Sequence, residues 1–340
     1  MPKVTMSDIA SELNISKNTV SRALRGLSGV SDSVRKKILA QAESSGYKVK
    51  IKENTLLHIV MVHMEALLDD NFFWPKVLSG IMNFAANQGI SIRVVTVDSN
   101  KDNTASIMSI DNQKCDGILA INDLDDRTLR QLSELKLPLV VIDYFSDIIN
   151  CDFVVTANRI GIHKVLSHLI ENNHKRIGFI GNINWRYSFQ ERFDAFRSYM
   201  AKCNLPVDND YVWLDSEYKD LSYFRKKIRQ FLPSENAVTA WVCVNDVMAV
   251  DLINALKENG YKIPDDFSVV GFDNIAYPGT QVLTTLEVQI KSLGQRAIEQ
   301  LMCRIEFPEK AHEILCIDTK LIIRDSVKKL PEESYSENSS

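Results

Sequence analysis

Residues 4–24 read VTMSDIASELNISKNTVSRAL, a stretch that predicts two short helices joined by a tight turn. Thr5 stands three residues before Asp8, so its hydroxyl can cap a helix while the carboxylate faces the positive end of the helix dipole. Apolar residues then recur at helical intervals, namely Ile9, Ala10 and Leu13. The pattern therefore predicts a first helix that starts at Thr5.

A second helix is predicted over 17–25, with Ser16 as its cap. Helical spacing turns its apolar residues inward and leaves Lys17, Asn18 and Arg22 on one exposed face. A third helix, which would close the small core, is marked by Val34, Ile38, Leu39 and Ala42. This arrangement is typical of a helix-turn-helix, which places its second helix in the major groove of duplex DNA.

The exposed face of the second helix carries side chains suited to reading bases. Asparagine can pair with adenine through two hydrogen bonds, and arginine or lysine with guanine, so we expect Lys17, Asn18 and Arg22 at base edges. Contacts to phosphates position a protein without specifying a sequence. The other residues that we expect at the DNA are Thr5, Ser16, Thr19, Ser21, Arg25, Ser31 and Arg35.

Charge is distributed unevenly along the chain. Residues 1–50 hold nine Lys/Arg and four Asp/Glu, a net +5, whereas the whole chain carries −4, which leaves −9 for the rest. A basic head on an acidic body indicates that the head alone faces a polyanion. A solvated three-helix bundle with ordinary surface charges is the alternative, and the coincidence of caps, turn and basic face argues against it.

The chain of 340 residues is longer than one ordinary domain. Its sequence has no run near the roughly 18 apolar residues needed to cross a bilayer, and no signal-peptide pattern, so we expect a cytoplasmic protein. Six cysteines are scattered without a Cys-x-x-Cys pair. Reduced thiols are the simplest interpretation, and a redox sensor or a zinc site is the alternative.

From Leu56 onward, apolar runs alternate with amphipathic segments. Strands are predicted at 57–63, 92–97, 117–121 and 139–142, and a second series of alternating elements begins near Phe153. A further strand-like segment covers 314–323. Alternation of this kind predicts parallel sheets with right-handed crossovers. The predicted fold class is an all-α helix-turn-helix head followed by an α/β body in two similar lobes.

Open α/β sheets bind ligands beyond the carboxyl ends of their strands. Three adjacent aromatic residues, Phe72, Phe73 and Trp74, follow the first predicted strand of the body. They suit stacking on a sugar or another ring, and packing over the sheet end is the alternative. Trp185 and Arg186 follow a later strand, at 176–180, and are candidates on the same argument.

Several motifs resemble those of the LacI/GalR family of bacterial transcription regulators. In the head they are Thr5-Met6-Ser7-Asp8-Ile9-Ala10, Ser16-x-x-Thr19-Val20-Ser21-Arg22-Ala23-Leu24, and Val30-Ser31 with Gly46-Tyr47. The resemblance implies a two-lobed, periplasmic-binding-protein-like body. The implied organisation is a DNA-binding domain at 1–50, a basic linker at 51–55, a body at 56–325 (lobe 1 about 56–155 and 286–316, lobe 2 about 158–283 and 317–325) and a disordered tail at 326–340.

The resemblance also implies a small-molecule effector, expected to be a sugar or sugar derivative, bound between the lobes. Arg192 matches the arginine that binds effector in the family, and Asn245 and Asp273 stand in matching motifs at two strand ends. Tyr218 occupies roughly the position of a family aromatic residue. Asp246 is expected to cap a helix. No catalytic motif, metal-ligand cluster or cofactor motif is recognisable, so an enzyme is not expected.

The chain departs from the family pattern at two places. Residues 48–55 lack the Pro-Asn and the Ala-Arg-x-Leu helix that lies in the minor groove, so we expect weaker DNA bending. Thr156-Ala157-Asn158 lacks the usual aspartate before the asparagine, which predicts the loss of one carboxylate at the pocket edge. The sequence thus predicts a homodimeric DNA-binding repressor of a carbohydrate-utilisation operon, and the alternative is the same role under control of a protein co-regulator.

Overall fold

The structure is a computed structural model that describes most of the chain. Its described residues are 4–24, 29–45, 47, 56–65, 67, 72–98, 101–111, 114–122, 124–215 and 220–332. Arg25, Tyr218 and residues 48–55, which include the linker, lie outside them, so the expectations for these positions stay predictions. The chain divides into two compact units, residues 1–57 and residues 58–340, which we call the head and the body.

The head contains the helices α1 (Met6–Glu12), α2 (Lys17–Leu24) and α3 (Asp32–Ser44). The predicted start of α1 is confirmed, because Asp8 N donates to Thr5 Oγ1 at 3.3 Å and the Asp8 carboxylate accepts from Thr5 N at 2.7 Å. Hydrogen bonds from the hydroxyl and the amide of Thr5 hold the pKa of Asp8 below its ordinary value.

The core of the head lies where the three helices meet. Its buried residues are Ile9, Ala10, Val20, Ala23, Ile38 and Ala42. Leu39 was expected to join this core, and that expectation is wrong, because its side chain is 44% exposed. Ile38 and Ala42, four residues apart, form the inward stripe of α3, and the next residue after Ile38 is turned about 100° away from it.

The first lobe of the body is built on a parallel sheet. In chain order its elements are β1 (Leu57–Met64), α4 (Trp74–Asn87), β2 (Ile90–Val97), α5 (Thr104–Asp111), β3 (Gly117–Ile121), α6 (Asp126–Glu134), β4 (Leu139–Ile142) and β5 (Asp152–Thr156). The strands stand in the order β2-β1-β3-β4-β5. β3 and β4 are buried at every position, as expected of strands covered on both faces by helices.

The second lobe repeats this plan with a smaller sheet. Its elements are α7 (Asn158–Glu171), β6 (Ile177–Ile180), α8 (Tyr187–Lys202), β7 (Val212–Trp213), α9 (Leu221–Phe231), β8 (Ala240–Cys243), α10 (Asp246–Glu258) and β9 (Ser268–Val270). The strands lie parallel in the order β7-β6-β8-β9. The predicted α/β body with parallel sheets is thereby confirmed.

The last elements of the body are β10 (Thr285–Val288), α11 (Ile290–Glu306), β11 (Ile314–Ile317) and β12 (Thr319–Ile322). α11 packs against α4, and β11 pairs with β5, so the chain returns to the first lobe. β10 and β12 form an antiparallel pair. The strand-like segment at 314–323 thus consists of two strands of different sheets, divided at Asp318.

The segment after β12 packs on the second lobe. Ser326 is buried, and its hydroxyl donates to Val269 O at 2.5 Å and accepts from Thr284 N at 2.8 Å. Leu330 N donates to Asn172 O at 3.0 Å. We expected residues 326–340 to form a disordered tail, whereas 326–330 are held by these backbone and side-chain hydrogen bonds. The polar composition of residues 326–330 did not indicate their hydrogen-bond partners, which lie far away in the chain.

Within the described residues, no helix is both long enough and apolar enough to span a membrane.

Candidate DNA-binding and effector-binding sites

The first turn of α2 presents the candidate base-reading residues of the head. Lys17 and Asn18 are exposed, and Arg22 is half-buried one turn later. A Cβ on Gly29 would lie 3.1 Å from an Arg22 guanidinium nitrogen, and Gly29 has a φ of 86°. Glycine therefore serves two needs here, since it adopts a left-handed backbone and leaves room for the arginine.

Three of the expected phosphate-binding hydroxyls act as helix caps. Thr5 caps α1, Ser16 Oγ accepts from Thr19 N at 3.0 Å, and Ser31 Oγ accepts from Val34 N at 3.4 Å. Thr19 Oγ1 also lies 2.8 Å from Ser16 Oγ. These exposed hydroxyls stand at positive helix ends, where a phosphate would be favoured.

Two of the expected phosphate contacts, Ser21 and Arg35, differ from the others in their surroundings. Ser21 is only 1% exposed, which argues against a phosphate contact. Arg35 donates from its guanidinium to Ala23 O at 2.9 Å, at the carboxyl end of α2. Arg35 therefore stabilises the last turn of α2, where a cation is favoured by the helix dipole.

In the body, a small cavity lies at the carboxyl ends of the strands of both sheets. Its lining residues are Phe73, Trp74, Asp143, Arg186, Ser188, Phe189, Arg192, Asn245 and Asp273. Six of the predicted effector-binding residues meet there: Phe73, Trp74, Arg186, Arg192, Asn245 and Asp273. Phe72 and Trp185 do not line it: Phe72 lies edge-on against Tyr277, and Trp185 is 36% exposed.

Arg192 forms the charged floor of this cavity. Its Nε donates to Asn158 Oδ1 at 2.9 Å, and Nη1 donates to Val244 O at 2.6 Å. Nη2 lies 3.3 Å from Asp273 Oδ1, and the guanidinium stacks 3.6 Å from the ring centre of Phe272. Since the side chain is almost fully buried, these contacts hold the guanidinium in one orientation.

The roles expected of Asn245 and Asp246 are partly exchanged. Asn245 is the cap of α10, because its Oδ1 accepts from Met248 N at 3.1 Å. Asp246, expected as the cap, is fully buried and accepts from Ile275 N at 2.9 Å and from Thr285 Oγ1 at 2.5 Å. Burial raises the pKa of Asp246 to about 7. One carboxylate thus ties α10 to β10 and to the loop after Asp273.

Asp143 is a cavity residue that the sequence reasoning missed. It follows β4 directly, has a φ of 54°, and is 7% exposed. Its Oδ1 accepts from Thr156 Oγ1 at 2.7 Å and from Thr156 N at 3.3 Å, and burial raises its pKa. The rule that led to Asp273, namely to inspect the residue after each strand, identifies Asp143 as well.

Helix α8 places a carboxylate, that of Glu191, beside residues 156–158. Asn158 Nδ2 donates to Glu191 Oε2 at 2.8 Å, so a half-buried glutamate of α8 stands beside this segment. Burial raises the pKa of Glu191, and the nearby carboxyl of Asp143 raises it further. Residues 156–158 carry no carboxylate, as expected, and Glu191 stands beside them without lining the cavity.

The cavity is too small for an effector as it stands. Its volume is about 30 Å³, whereas ligand pockets typically measure roughly 300–1,000 Å³. Among the described residues, no group of three or more His, Cys, Asp or Glu side chains is placed to hold a metal ion. The side chains that line the cavity offer hydrogen bonds, charges and aromatic surface.

Two protein-family models match this chain. The model described as bacterial regulatory proteins of the lacI family matches residues 5–49, which include all of α1, α2 and α3. The model described as a periplasmic binding protein-like domain matches residues 166–327, which include most of the second lobe. Together the two models cover more than half of the chain.

Relatives of full length are transcriptional repressors. The HTH-type transcriptional repressor PurR of Aliivibrio salmonicida is 26% identical over an alignment of 336 residues. The alignment covers 96% of this chain and 99% of that protein. The probable HTH-type transcriptional repressor ExuR of Bacillus subtilis is 27% identical over 337 residues, with the same shares covered.

Solved structures share the fold of this chain. A complex of the transcriptional regulator CelR with cellobiose has a TM-score of 0.69 at 21% identity and covers 95% of this chain and 99% of its own. The lac repressor dimer bound to operator and the anti-inducer ONPF has a TM-score of 0.69 at 20% identity, with 96% and 100% covered. The chain thus carries a lacI-family DNA-binding region in its head and a periplasmic binding protein-like domain in its body, and over its length it is similar to proteins named as transcriptional repressors.

Proposed function

We propose that the protein is a homodimeric, sequence-specific repressor of a carbohydrate-utilisation operon and that a sugar bound between the two lobes of the body controls its affinity for operator DNA. The head would bind one half of a pseudo-palindromic operator, as the symmetry of a dimer requires. The coupling between ligand and DNA is of the kind typically worth roughly 1–3 kcal/mol.

The base-reading surface would be the exposed face at the start of α2. Lys17 and Asn18 extend from its first turn, and Arg22 follows one turn later against Gly29. The amide of Asn18 would pair with adenine, and the two cations with guanine. The capped amino ends of α1, α2 and α3, with Thr5, Ser16 and Ser31, would position the head on phosphates.

The composition of the cavity lining supports the proposal that the effector is a sugar. Phe73, Trp74 and Phe189 supply aromatic surface, while Asp143 and Asp273 supply carboxylates at strand ends of opposite lobes. Aromatic faces stack on the apolar faces of sugar rings, and carboxylates accept hydrogen bonds from hydroxyls. Among structures of the same fold, one holds cellobiose and a regulator of Enterococcus faecium holds ribose, which supports this ligand class.

The proposed dimer is supported by exposed apolar side chains on the first lobe. Met82 on α4 is 43% exposed and Val94 on β2 is 46% exposed, and α4 packs on β2. Burial of such side chains against a second copy would be favourable. The lac repressor of the same fold is a dimer.

The proposal is tested by selecting an operator from a random DNA library and then titrating the complex with a panel of sugars. At least one sugar is expected to change operator affinity at least fivefold. Asp143→Asn is the matched variant, because an amide oxygen can still accept both hydrogen bonds from Thr156. It should bind operator normally and lose the response to sugar. A response to a protein partner and to no sugar would overturn the ligand assignment.

A further inference from the structure

The two arginines that line the cavity differ in their surroundings. Arg192 is buried and its charge is balanced, because Nη2 lies 3.3 Å from the Asp273 carboxylate, while Nε and Nη1 donate to Asn158 and to the backbone of Val244. Arg186 is half-buried, and its guanidinium forms no hydrogen bond or ion pair with any residue that the structure describes. The cavity therefore contains one guanidinium group whose donors are available to a ligand.

The place of Arg186 in the fold is electrostatically unfavourable for a cation. Arg186 is the cap residue of α8, a helix of 16 residues, and its side chain does not cap the helix. The first turn of α8 contains no acidic residue. Because the amino end of a helix carries a partial positive charge, it favours anions and opposes a guanidinium group. An arrangement that breaks such a local rule without compensation is typical of a functional site.

Asp143 is a carboxyl group of the cavity lining that interacts with Arg186 through space. The two side chains do not form an ion pair, and Asp143 Oδ1 instead accepts two hydrogen bonds from Thr156. Burial raises the pKa of Asp143, and the positive charge of Arg186 offsets only part of this rise. Asp143 therefore leaves the charge of Arg186 without a direct counter-ion.

We propose that the effector is a sugar acid and that Arg186 binds its carboxylate. This inference rests on the sugar effector proposed above and narrows it to one chemical class. The planar guanidinium group can donate two parallel hydrogen bonds to the two oxygens of a carboxylate. The hydroxyls of the same ligand would donate to Asp143 and Asp273, which line the same cavity. Arg186 thereby selects the acidic sugar against the neutral one.

The balance of charge in the cavity favours a carboxylate over a phosphate. Arg186 can offset one negative charge, and the amino end of α8 adds only a partial positive charge. A phosphate group carries roughly −1.5 to −2 at pH 7, so part of its charge would remain without a cation. The carboxyl groups of Asp143 and Asp273 would repel that remainder. A sugar with a single carboxylate is therefore the ligand that fits this lining.

Calorimetric titration of the full-length protein without DNA tests the inference. The probes are glucose, galactose and mannose, the three uronates derived from them, and their three 6-phosphates, so that only the group at carbon 6 changes within each set. At least one uronate should bind roughly ten- to a hundredfold more tightly than its neutral parent, the range expected of hydrogen bonds to a charged group. The corresponding 6-phosphate should bind more weakly than that uronate.

Three variants assign the preference to Arg186. In Arg186→Gln the ratio of uronate to hexose affinity should fall to about one, and in Arg186→Lys, which keeps the charge without the paired geometry, it should be intermediate. Arg197→Gln is the matched control, because Arg197 is exposed on the same helix and does not line the cavity. Its ratio should equal that of the wild type. Thermal unfolding shows whether each variant is folded, and a ratio measured within one variant does not depend on its stability.

Each other outcome contradicts the inference at a different point. A hexose or a 6-phosphate that binds more tightly than every uronate would overturn the sugar acid and leave the sugar effector in place. A uronate preference that persists in Arg186→Gln would overturn the role of Arg186. Binding of none of these probes would overturn the inference as well, whereas the proposed function is decided separately by the response of operator affinity to the wider panel of sugars.

Discussion

Two neighbouring residues of α2, Ser21 and Arg22, differ in how far their side chains are exposed to solvent. Ser21 is buried, whereas Arg22 is half-buried and lies against Gly29. Each step along a helix turns a side chain by about 100°, so a shift of one residue exchanges core and surface. Lys17 and Asn18 are exposed as predicted, Arg22 is half-buried, and Ser21, which was expected beside them on the surface, is buried.

This division predicts different outcomes for two single substitutions in α2. Asn18→Ala should weaken operator binding by roughly 1–3 kcal/mol and relax the preference at one base position, because a pair of hydrogen bonds to a base edge is lost. Ser21→Ala, which changes a side chain that is only 1% exposed, should leave operator affinity within about 0.5 kcal/mol of the wild type. Fluorescence anisotropy with the selected operator measures both. Equal losses in the two variants would contradict the assignment.

We expect the buried His174 side chain to make the folded protein less stable in mild acid. It is fully buried, and Nδ1 lies 2.9 Å from Thr239 Oγ1 while Nε2 lies 3.0 Å from Lys328 O. Burial lowers its pKa to about 4. Because the unfolded chain takes up a proton near pH 6.5 and the folded protein does so only near 4, stability falls as the pH drops between these values.

Between pH 7 and pH 5 the contribution of His174 to the free energy of unfolding should fall by about 2 kcal/mol. Urea unfolding at both values measures this difference. In His174→Gln the difference should be smaller by that amount, because glutamine does not titrate. An identical pH dependence in the wild type and in His174→Gln would show that other groups cause the loss.

At the scale of elements, Asp246 links three parts of the second lobe. Its carboxylate, on the first turn of α10, reaches Thr285 on β10 and Ile275 in the loop after β9. Gly271 makes the approach possible, since a Cβ there would lie 2.2 Å from Asp246 Oδ1. The link connects the cap of α10, which borders the cavity, with a strand that leads back to the first lobe.

Two glycine substitutions test this packing. Gly271→Ala should destabilise the body by roughly 1–3 kcal/mol, because a methyl group must displace the carboxylate. Gly80→Ala is the matched control, since its Cβ would meet Lys291 Cα at 3.7 Å, an ordinary contact, in the middle of α4. It should be neutral or stabilise by roughly 0.5–1 kcal/mol. Differential scanning calorimetry compares the variants, and equal melting temperatures would contradict the packing argument.

The sequence predicted elements better than it predicted their partners. Alternating apolar runs indicated the βα order, and β3 and β4 begin and end at the predicted residues, 117–121 and 139–142. The division of 314–323 at Asp318 and the packing of Ser326 depend on contacts distant in the chain, which local periodicity does not contain. The cap of α10 lies at Asn245 rather than at Asp246 for the same reason, because the Asp246 carboxylate accepts hydrogen bonds from Thr285 and Ile275.

At the scale of the whole molecule, the head and the body carry net charges of opposite sign. The head carries +5, and the rest of the chain carries −9. Binding of the head to phosphates releases counterions, so operator affinity should fall steeply with salt. Binding of a sugar with at most one charge in the body should depend little on salt. Titrations at 50 and 200 mM salt test both statements, and a sugar affinity that falls as steeply as operator affinity would contradict this separation.

The most direct test of the account measures operator affinity of the wild type and of Asp143→Asn across a panel of sugars. Both proteins should bind the operator equally without sugar. One sugar should change the operator affinity of the wild type at least fivefold and leave that of the variant unchanged. Wild-type affinity that no sugar alters, or an equal response in Asp143→Asn, would contradict it.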